Sequence, residues 1–348
     1  MSPPGPAAEA AALRRPGRWR VPARVLLALG LLAAVLLWAD VGQVLALLRG
    51  AQPGWLLAAL AAAVASNLAS AWRWRLLVQW LGGRLGLGTA CGLYFRAVAI
   101  NALLPGAVVG GDMYRAHGLV RLGLPWLESA LSVLCDRLSG LWVLIALGGL
   151  AAAWAAAWPG DTPLPAAIGL LPPAGWAALA LALLALPLVL LAAGRKLVAG
   201  PAKAAPVVAG GAGWRVRLSL LAHRPQALAQ YGWQLLGSAL VQGLSVSVLA
   251  LGGAALGIAL PWWGYALAAV PTFLMATLPI SLGGWGTREA AAVLAFGSLG
   301  LAAPQAVALS VLYGLSALVQ AAAGALLLAR GAPAVPVEHG SADARPGG

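Results

Sequence analysis

Two stretches of the chain share an unusual order of residues, ALLPGAVVGGDMYR at positions 102–115 and ATLPISLGGWGTRE at positions 276–289. Each runs Ala, any residue, Leu and Pro, then a glycine pair, then an arginine close to an acid. Proline ends a helix and glycine lets the backbone bend. In a membrane, a matched pair of interrupted apolar segments points to the binding site of a transporter built from an internal repeat. The sequence therefore predicts two half-repeats, each centred on a helix break.

The composition sets the class of protein. Charged residues are 9% of the chain and hydrophobic residues 61%, whereas charged residues make up about a quarter of an ordinary globular protein. Residues 225–287 and 290–329 contain no Asp, Glu, Lys or Arg. Runs of this length are typical of membrane-spanning helices of about 20 residues. We therefore expect an all-α polytopic membrane protein with about eight hydrophobic helical segments.

Loops rich in arginine and lysine at 73–84 and 195–224 mark the cytosolic face, and the N-terminus is placed there too. The full spans predicted from hydropathy are Val25–Ala39, Trp55–Trp72, Leu138–Trp158, Trp176–Ala193, Tyr231–Leu256 and Leu309–Leu328.

The side of the membrane assigned to each loop determines whether the remaining hydrophobic segments cross the membrane. Segment 89–104 must enter and leave on the cytosolic side, and 262–301 on the opposite side. This predicts an inverted repeat with two re-entrant hairpins, its halves at 21–194 and 225–330. A full crossing by 290–301 is the open alternative. Tails 1–20 and 331–348 are predicted to be disordered, the first in the cytosol.

The net charge of +13 is spread over loops and the N-terminus, so it indicates contact with membrane lipids and excludes a nucleic-acid partner. Two cysteines and three scattered histidines predict no metal site and no cofactor. The expected partners are membrane lipids, with a second copy of the chain or a separate lipid-modifying enzyme as further candidates.

Charged and polar residues near the breaks are the candidates for substrate binding, because charges at membrane depth are costly. Arginine can hold a phosphate with two hydrogen bonds, and free N–H groups at a helix start attract anions. The candidate set is Arg96, Asn101, Pro105, Gly110, Gly111, Asp112, Arg115, Asp136, Arg137, Pro279, Gly283, Gly284, Trp285, Arg288 and Glu289.

Several of the charged and aromatic residues could have structural roles instead of binding substrate. Arg73 and Arg75 are interfacial anchors or substrate contacts, and Asp136 with Arg137 is a structural ion pair or part of the site. Tryptophans at predicted span ends, Trp74 among them, are expected to form an interfacial belt.

Four elements, taken in order, resemble the lysylphosphatidylglycerol synthase transmembrane-region family. They are Trp72–Arg75, Asn101–Pro105 leading into Gly110–Arg115, Asp136–Leu138 with Gly140, and Leu278–Pro279 followed by Gly283–Glu289. The resemblance covers roughly residues 20–330. It implies a flippase-like domain of a bacterial inner membrane that moves a phospholipid or a polyprenyl-phosphate-type lipid between leaflets. We expect the stand-alone form without the synthase domain, and no lysyl transfer.

Three functions follow from these observations. In the first, Arg115, Arg288 and Arg137 hold the headgroup of a phosphate-bearing lipid while the two halves rock. In the second, the chain is a transferase with Asp112 or Asp136 as base, although catalytic motifs are absent and we expect no enzyme. In the third, it transports a small solute, which would require polar residues along several spans.

Overall fold

The computed structural model describes residues 20–103, 108–158, 160–198, 224–278 and 283–330, and every regular element within these ranges is a helix. Apart from Arg20, the tails 1–20 and 331–348 lie outside the described residues. Pro105, Pro279 and most of the basic loop 195–224 lie outside them too.

The described chain forms eleven α-helices and one short 3-10 helix (Ala166–Leu170). In chain order the α-helices are α1 (Arg20–Trp38), α2 (Val41–Arg49), α3 (Pro53–Trp80), α4 (Leu87–Leu103), α5 (Val108–Arg121), α6 (Trp126–Ala157), α7 (Pro173–Val198), α8 (Ala227–Ala255), α9 (Trp262–Ala276), α10 (Thr287–Gly297) and α11 (Ala303–Ala329).

Five of these helices are long and apolar enough to cross a membrane, namely α3, α6, α7, α8 and α11. A sixth candidate span is the pair α1–α2, which bends by 85° between Trp38 and Val41. The predicted class of polytopic helical membrane protein is confirmed, whereas the number of about eight segments remains a prediction.

Helix α6 begins at Trp126, well before the predicted start at Leu138. The predicted span Leu138–Trp158 places Asp136 and Arg137 at its start. In the structure both side chains form ion pairs with neighbouring helices, so the helix continues through them. Asp136 is paired inside the bundle, whereas the side chain of Arg137 is partly exposed.

Each break separates two short helices that pack against each other, α4 on α5 and α9 on α10. At 17 residues α4 is about 25 Å long, and at 11 residues α10 is about 16 Å long. Both are shorter than the hydrocarbon core of about 30 Å. At 11 residues α10 is shorter than the roughly 17–25 residues of a membrane-spanning helix, and at 17 residues α4 is at the lower limit of that range.

The two halves repeat the same order of elements, a long helix, a short-helix hairpin and a second long helix. Exchanging the halves also exchanges the packing partners. Helix α4 packs on α11, and its counterpart α9 packs on α6. Helix α5 packs on α6, and its counterpart α10 packs on α11. Helix α3 packs on α6, and its counterpart α8 packs on α11. The packing therefore follows a pseudo-two-fold relation.

The relative directions of α3 and α8, the central pair of long helices, determine the orientation of this pseudo-two-fold relation. The N–H of Gln52, beside the start of α3, donates to the carbonyl of Ala255 at the end of α8 (2.9 Å). Farther along α3, Arg73 donates to Ser238, earlier in α8 (2.8 Å). The two helices are therefore antiparallel. A rotation that places α3 on α8 consequently reverses the direction in which the helices of each half run. An antiparallel central pair is what the predicted inverted repeat requires.

Close backbone contacts hold the breaks together. A Cβ atom added to Gly111 would lie 2.6 Å from the carbonyl oxygen of Ala97, and the Gly111 N–H donates to the side chain of Asn101 (3.0 Å). A Cβ atom on Gly283 would lie 3.6 Å from the Cα atom of Ala102. The second break therefore contacts the end of α4, beside the first.

Replacing Gly111 with Ala should lower the free energy of unfolding by about 1–3 kcal/mol, because the added methyl group forces α5 away from α4. The measurement is the apparent melting temperature in detergent. Gly243→Ala is the matched control, since nothing lies within 4 Å of a Cβ there. It should leave the melting temperature unchanged or raise it. An equal effect of both substitutions would contradict the close packing at Gly111.

Candidate functional site

Five charged side chains from three helices form a continuous network, here called the first arginine cluster: Arg73, Asp112, Arg115, Asp136 and Arg137. Cations and anions alternate along it. Arg73 contacts Asp136 (2.8 Å), Arg115 contacts Asp136 and Asp112 (2.9 Å each), and Arg137 contacts Asp112 (2.9 Å). Three arginines against two carboxylates leave one net positive charge.

Arg115 lies at the centre of this cluster and is 1% exposed. Its two terminal nitrogens donate to Asp136 and Asp112. The rings of Trp74 and Tyr94 cover its guanidinium group, with centroids at 5.0 and 4.9 Å. Charge pairing and cation–π contact together satisfy this arginine inside the bundle. The side chain predicted to hold a phosphate is therefore enclosed by protein in this structure.

Arg73 is 3% exposed, so it is not an interfacial anchor. It donates to the side chain and the main-chain carbonyl of Asp136 and to the hydroxyl of Ser238. Two glycines leave room for it, because a Cβ atom on Gly237 or Gly140 would lie 3.0 or 3.5 Å from its side chain. Arg73 thereby joins α3 to α6 and α8.

Asp136 and Arg137 are adjacent but do not pair with each other. Arg137 instead donates to Asp112 through Nε and Nη2. Its side chain is 36% exposed and that of Asp112 is 22% exposed, which makes this the open end of the first arginine cluster.

The second arginine cluster consists of Arg288, Glu289 and Ser310. Arg288 contacts its neighbour Glu289 at 2.6 Å and donates to Ser310 at 3.0 Å. Ser310 in turn donates to Glu289. The rings of Trp285 and Tyr313 pack on Arg288, with centroids at 4.7 and 5.8 Å. Arg288 and Glu289 are buried, so this cluster is enclosed and has no net charge.

The glycines of the second break place this cluster. Gly284 and Gly286 have φ angles of +83° and +85°, which other residues rarely adopt. Between them, Trp285 turns back over Arg288. The N–H of Gly286 donates to Glu289 at 2.6 Å, so the acid also caps α10.

A cavity of about 190 Å³ lies between α3, α4, α8 and α11. Its lining residues are Ala63, Ser66, Asn67, Val98, Ser245, Val248, Tyr313, Ser316, Ala317 and Gln320. Ser66 shares a hydrogen bond with Ser245 (3.1 Å), and Asn67 donates to Gln320 (2.6 Å). Polar groups from both halves therefore meet across it.

The cavity lies between the two arginine clusters. On α3, Arg73 comes seven residues after Ser66, about 10 Å along the helix. On the other side, Tyr313 lines the cavity and its ring also packs on Arg288. One wall of the cavity is thus shared with the second arginine cluster.

The remaining predicted residues have structural contacts. Arg96 is 6% exposed and donates to the carbonyl of Leu327 in α11. Asn101 and Gly111 join α4 to α5, and Gly110 is half-buried at the start of α5. Trp74, expected in the interfacial belt, is fully buried and donates to Ser132, so that prediction is wrong.

The candidate set left out the polar side chains of the cavity, and it did not predict which charged side chains pair within the clusters. A signal was present in three otherwise apolar spans, where polar residues recur at helical spacing. The three stripes are Ser66, Ser70 and Arg73 on α3, Ser238, Gln242 and Ser245 on α8, and Ser310, Tyr313, Ser316 and Gln320 on α11. Each stripe falls on one face of its helix and turns inward.

Comparison with known proteins agrees with the motifs. The family model described as Lysylphosphatidylglycerol synthase TM region matches residues 25–324. The match covers both breaks, both arginine clusters and the cavity. No curated protein matches the chain.

Replacing Asp136 with Asn should lower the free energy of unfolding by about 3–5 kcal/mol, because it leaves Arg73 and Arg115 buried without their shared carboxylate. The apparent melting temperature in detergent measures the effect. Arg137→Gln, at the open end of the same cluster, should cost less than about 1 kcal/mol. Similar losses for the two variants would show that burial does not set the strength of this network.

Proposed function

The chain belongs to the lysylphosphatidylglycerol synthase TM region family, and from that premise we propose that it moves a phosphate-bearing lipid between the leaflets of a bacterial inner membrane. The lipid is an anionic phospholipid or a lipid of the polyprenyl-phosphate type. The proposal assigns no catalytic step to the chain.

The observation that carries the proposal is the polar cavity at the junction of the two halves. Its walls come from α3 and α4 of the first half and from α8 and α11 of the second. The surrounding helices present large apolar side chains on their outer faces, as lipid contact requires. A headgroup in this cavity would be shielded from lipid while its acyl chains remained outside.

The inverted relation of the halves supports a mechanism of alternating access. In this proposal α4–α5 and α9–α10 are re-entrant hairpins that enter from opposite faces and meet where Gly283 contacts Ala102. Rocking one half against the other opens the cavity to each leaflet in turn. The N-terminus lies in the cytosol.

The first arginine cluster acts on the headgroup through its net charge rather than through open hydrogen-bond donors. Arg115 and Arg288 are buried in ion pairs. The net positive charge of the first arginine cluster attracts an anionic headgroup from behind the cavity wall, where the low dielectric strengthens the field. Direct contact between these arginines and a phosphate requires the ion pairs to open. Replacing both by alanine is consequently a test of folding more than of transport.

Transport of a small solute is the second candidate. Three spans carry polar stripes that meet at the cavity, which is the feature this function requires. No comparable feature favours a transferase, because Asp112 and Asp136 each accept hydrogen bonds from two arginines.

Replacing Ala317 with Phe should abolish lipid exchange, because the ring fills the cavity from α11. The assay uses purified protein in liposomes with fluorescent phosphatidylglycerol and a short polyprenyl phosphate. Dithionite reports the fraction of each lipid in the outer leaflet.

Ala322→Phe is the matched control, since Ala322 lies on the exposed face of the same helix. It should exchange lipid like the unchanged protein. Exchange by Ala317→Phe at the rate of the unchanged protein would reject the cavity as the route. No exchange by any form would favour transport of a solute.

A further inference from the structure

We propose that the cavity recognises an uncharged, hydroxyl-bearing part of its ligand, either a glycerol or a single sugar ring, and does not recognise the phosphate. This inference rests on the proposed function for the source of that group, a lipid headgroup. The chemistry of the cavity itself is argued from its lining.

No lining residue carries a charge. The six polar ones are hydroxyl or carboxamide residues: Ser66, Asn67, Ser245, Tyr313, Ser316 and Gln320. The nearest arginines are paired with carboxylates of their own clusters, Arg73 with Asp136 and Arg288 with Glu289. A phosphate inside the cavity would meet no free cation among these side chains.

Hydrogen bonds within the lining leave both acceptors and neutral donors, the two kinds of group that a ligand hydroxyl can use. The hydroxyl of Ser245 donates to the Val241 carbonyl (2.9 Å), and the hydroxyl of Ser316 donates to the Tyr313 carbonyl (2.7 Å). Each serine oxygen can still accept a hydrogen bond. Such oxygens suit a hydroxyl donor and repel phosphate oxygens, which only accept.

The pair Asn67 and Gln320 extends the same pattern. Asn67 donates through its amide to Gln320, and the amide of Gln320 donates to the Ser316 carbonyl (3.2 Å). Within the described part of the chain, the carbonyl oxygen of Asn67 accepts no hydrogen bond. Asn67 therefore offers one further acceptor at the cavity wall, and the second N–H of its amide is a neutral donor.

An ammonium group would also suit these acceptors, but the charge around the cavity opposes it. The first arginine cluster has a net positive charge about 10 Å from Ser66 along α3. In a bundle of low dielectric this distance leaves a substantial repulsion. A neutral polyol is the chemistry that satisfies both constraints.

The size and the apolar part of the lining agree with this class. A volume of 190 Å³ corresponds to about six water molecules, the scale of a glycerol or one sugar ring. Ala63, Val98, Val248 and Ala317 supply apolar surface for the C–H groups of such a ring. Binding sites for small ligands combine these two kinds of surface.

The test compares three fluorescent lipids in the liposome assay. Monoglucosyl diacylglycerol has hydroxyl groups without a phosphate, phosphatidic acid has a phosphate without a polyol, and phosphatidylglycerol has both. We expect the glucosyl lipid and phosphatidylglycerol to exchange and phosphatidic acid to remain in place. Ser245→Ala and Asn67→Ala should slow that exchange by about fivefold to tenfold, the effect of one lost neutral hydrogen bond.

Ser247→Ala is the matched control. The hydroxyl of Ser247 donates to the Gly243 carbonyl (2.8 Å) just as that of Ser245 donates to Val241, but Ser247 does not line the cavity. It should leave exchange unchanged. Melting temperatures show that each variant is folded.

The remaining outcomes separate the inference from the proposed function. Exchange of phosphatidic acid as fast as phosphatidylglycerol would overturn the inference and leave lipid translocation in place. If no lipid exchanges, binding of radiolabelled glucose to the purified protein tests whether the cavity recognises a polyol from a soluble ligand. Glucose binding that Asn67→Ala weakens would support the inference with a soluble ligand as the source, and no glucose binding would overturn it.

Discussion

The carboxylate of Asp136 is the group on which the arrangement of the first half depends. It lies on α6 and accepts hydrogen bonds from Arg73 of α3 and Arg115 of α5. The chain has only nine acidic residues, so few partners exist for buried arginines. Because an unpaired charge is costly inside a bundle, these three helices must pack where one carboxylate reaches both guanidinium groups. The position of the cavity beside Arg73 follows from that packing.

The two halves of the chain each pair a buried arginine, but they do so with different residues. Arg115 and Arg288 follow corresponding glycine pairs, and each contacts the next long helix of its half, through Asp136 or Ser310. Where the first half uses a carboxylate on that helix, the second uses a hydroxyl and places its acid, Glu289, next to the arginine. The first cluster thus keeps a net positive charge and the second has none. The helices around the cavity are therefore arranged pseudo-symmetrically, but the electrostatic field that the two clusters produce there is asymmetric.

The sequence predicts the membrane class, the two breaks and the presence of paired charges, because these depend on composition and local order. It could not predict which charges pair. Adjacent Asp136 and Arg137 point to different neighbours, and Arg73 reaches Asp136 only after α3 and α6 have packed. The same limit explains Trp74: its position at a span end predicts a place at the interface, but it donates to Ser132 inside the bundle. Partner choice depends on which helix faces meet, and hydropathy carries no information about that.

Enclosed arginines have a consequence for any cycle in which the cavity empties. Free arginines facing an apolar bundle would hold a phosphate tightly, and its departure would leave buried charges without partners. In this structure Asp136 and Glu289 already satisfy Arg115 and Arg288, so an empty cavity leaves neither arginine unpaired. The neutral side chains of the lining are partly satisfied by one another as well, through Asn67 and Gln320. A ligand held by a few neutral hydrogen bonds, within the field of a charge it does not touch, can bind and leave without the bundle having to rearrange its ion pairs.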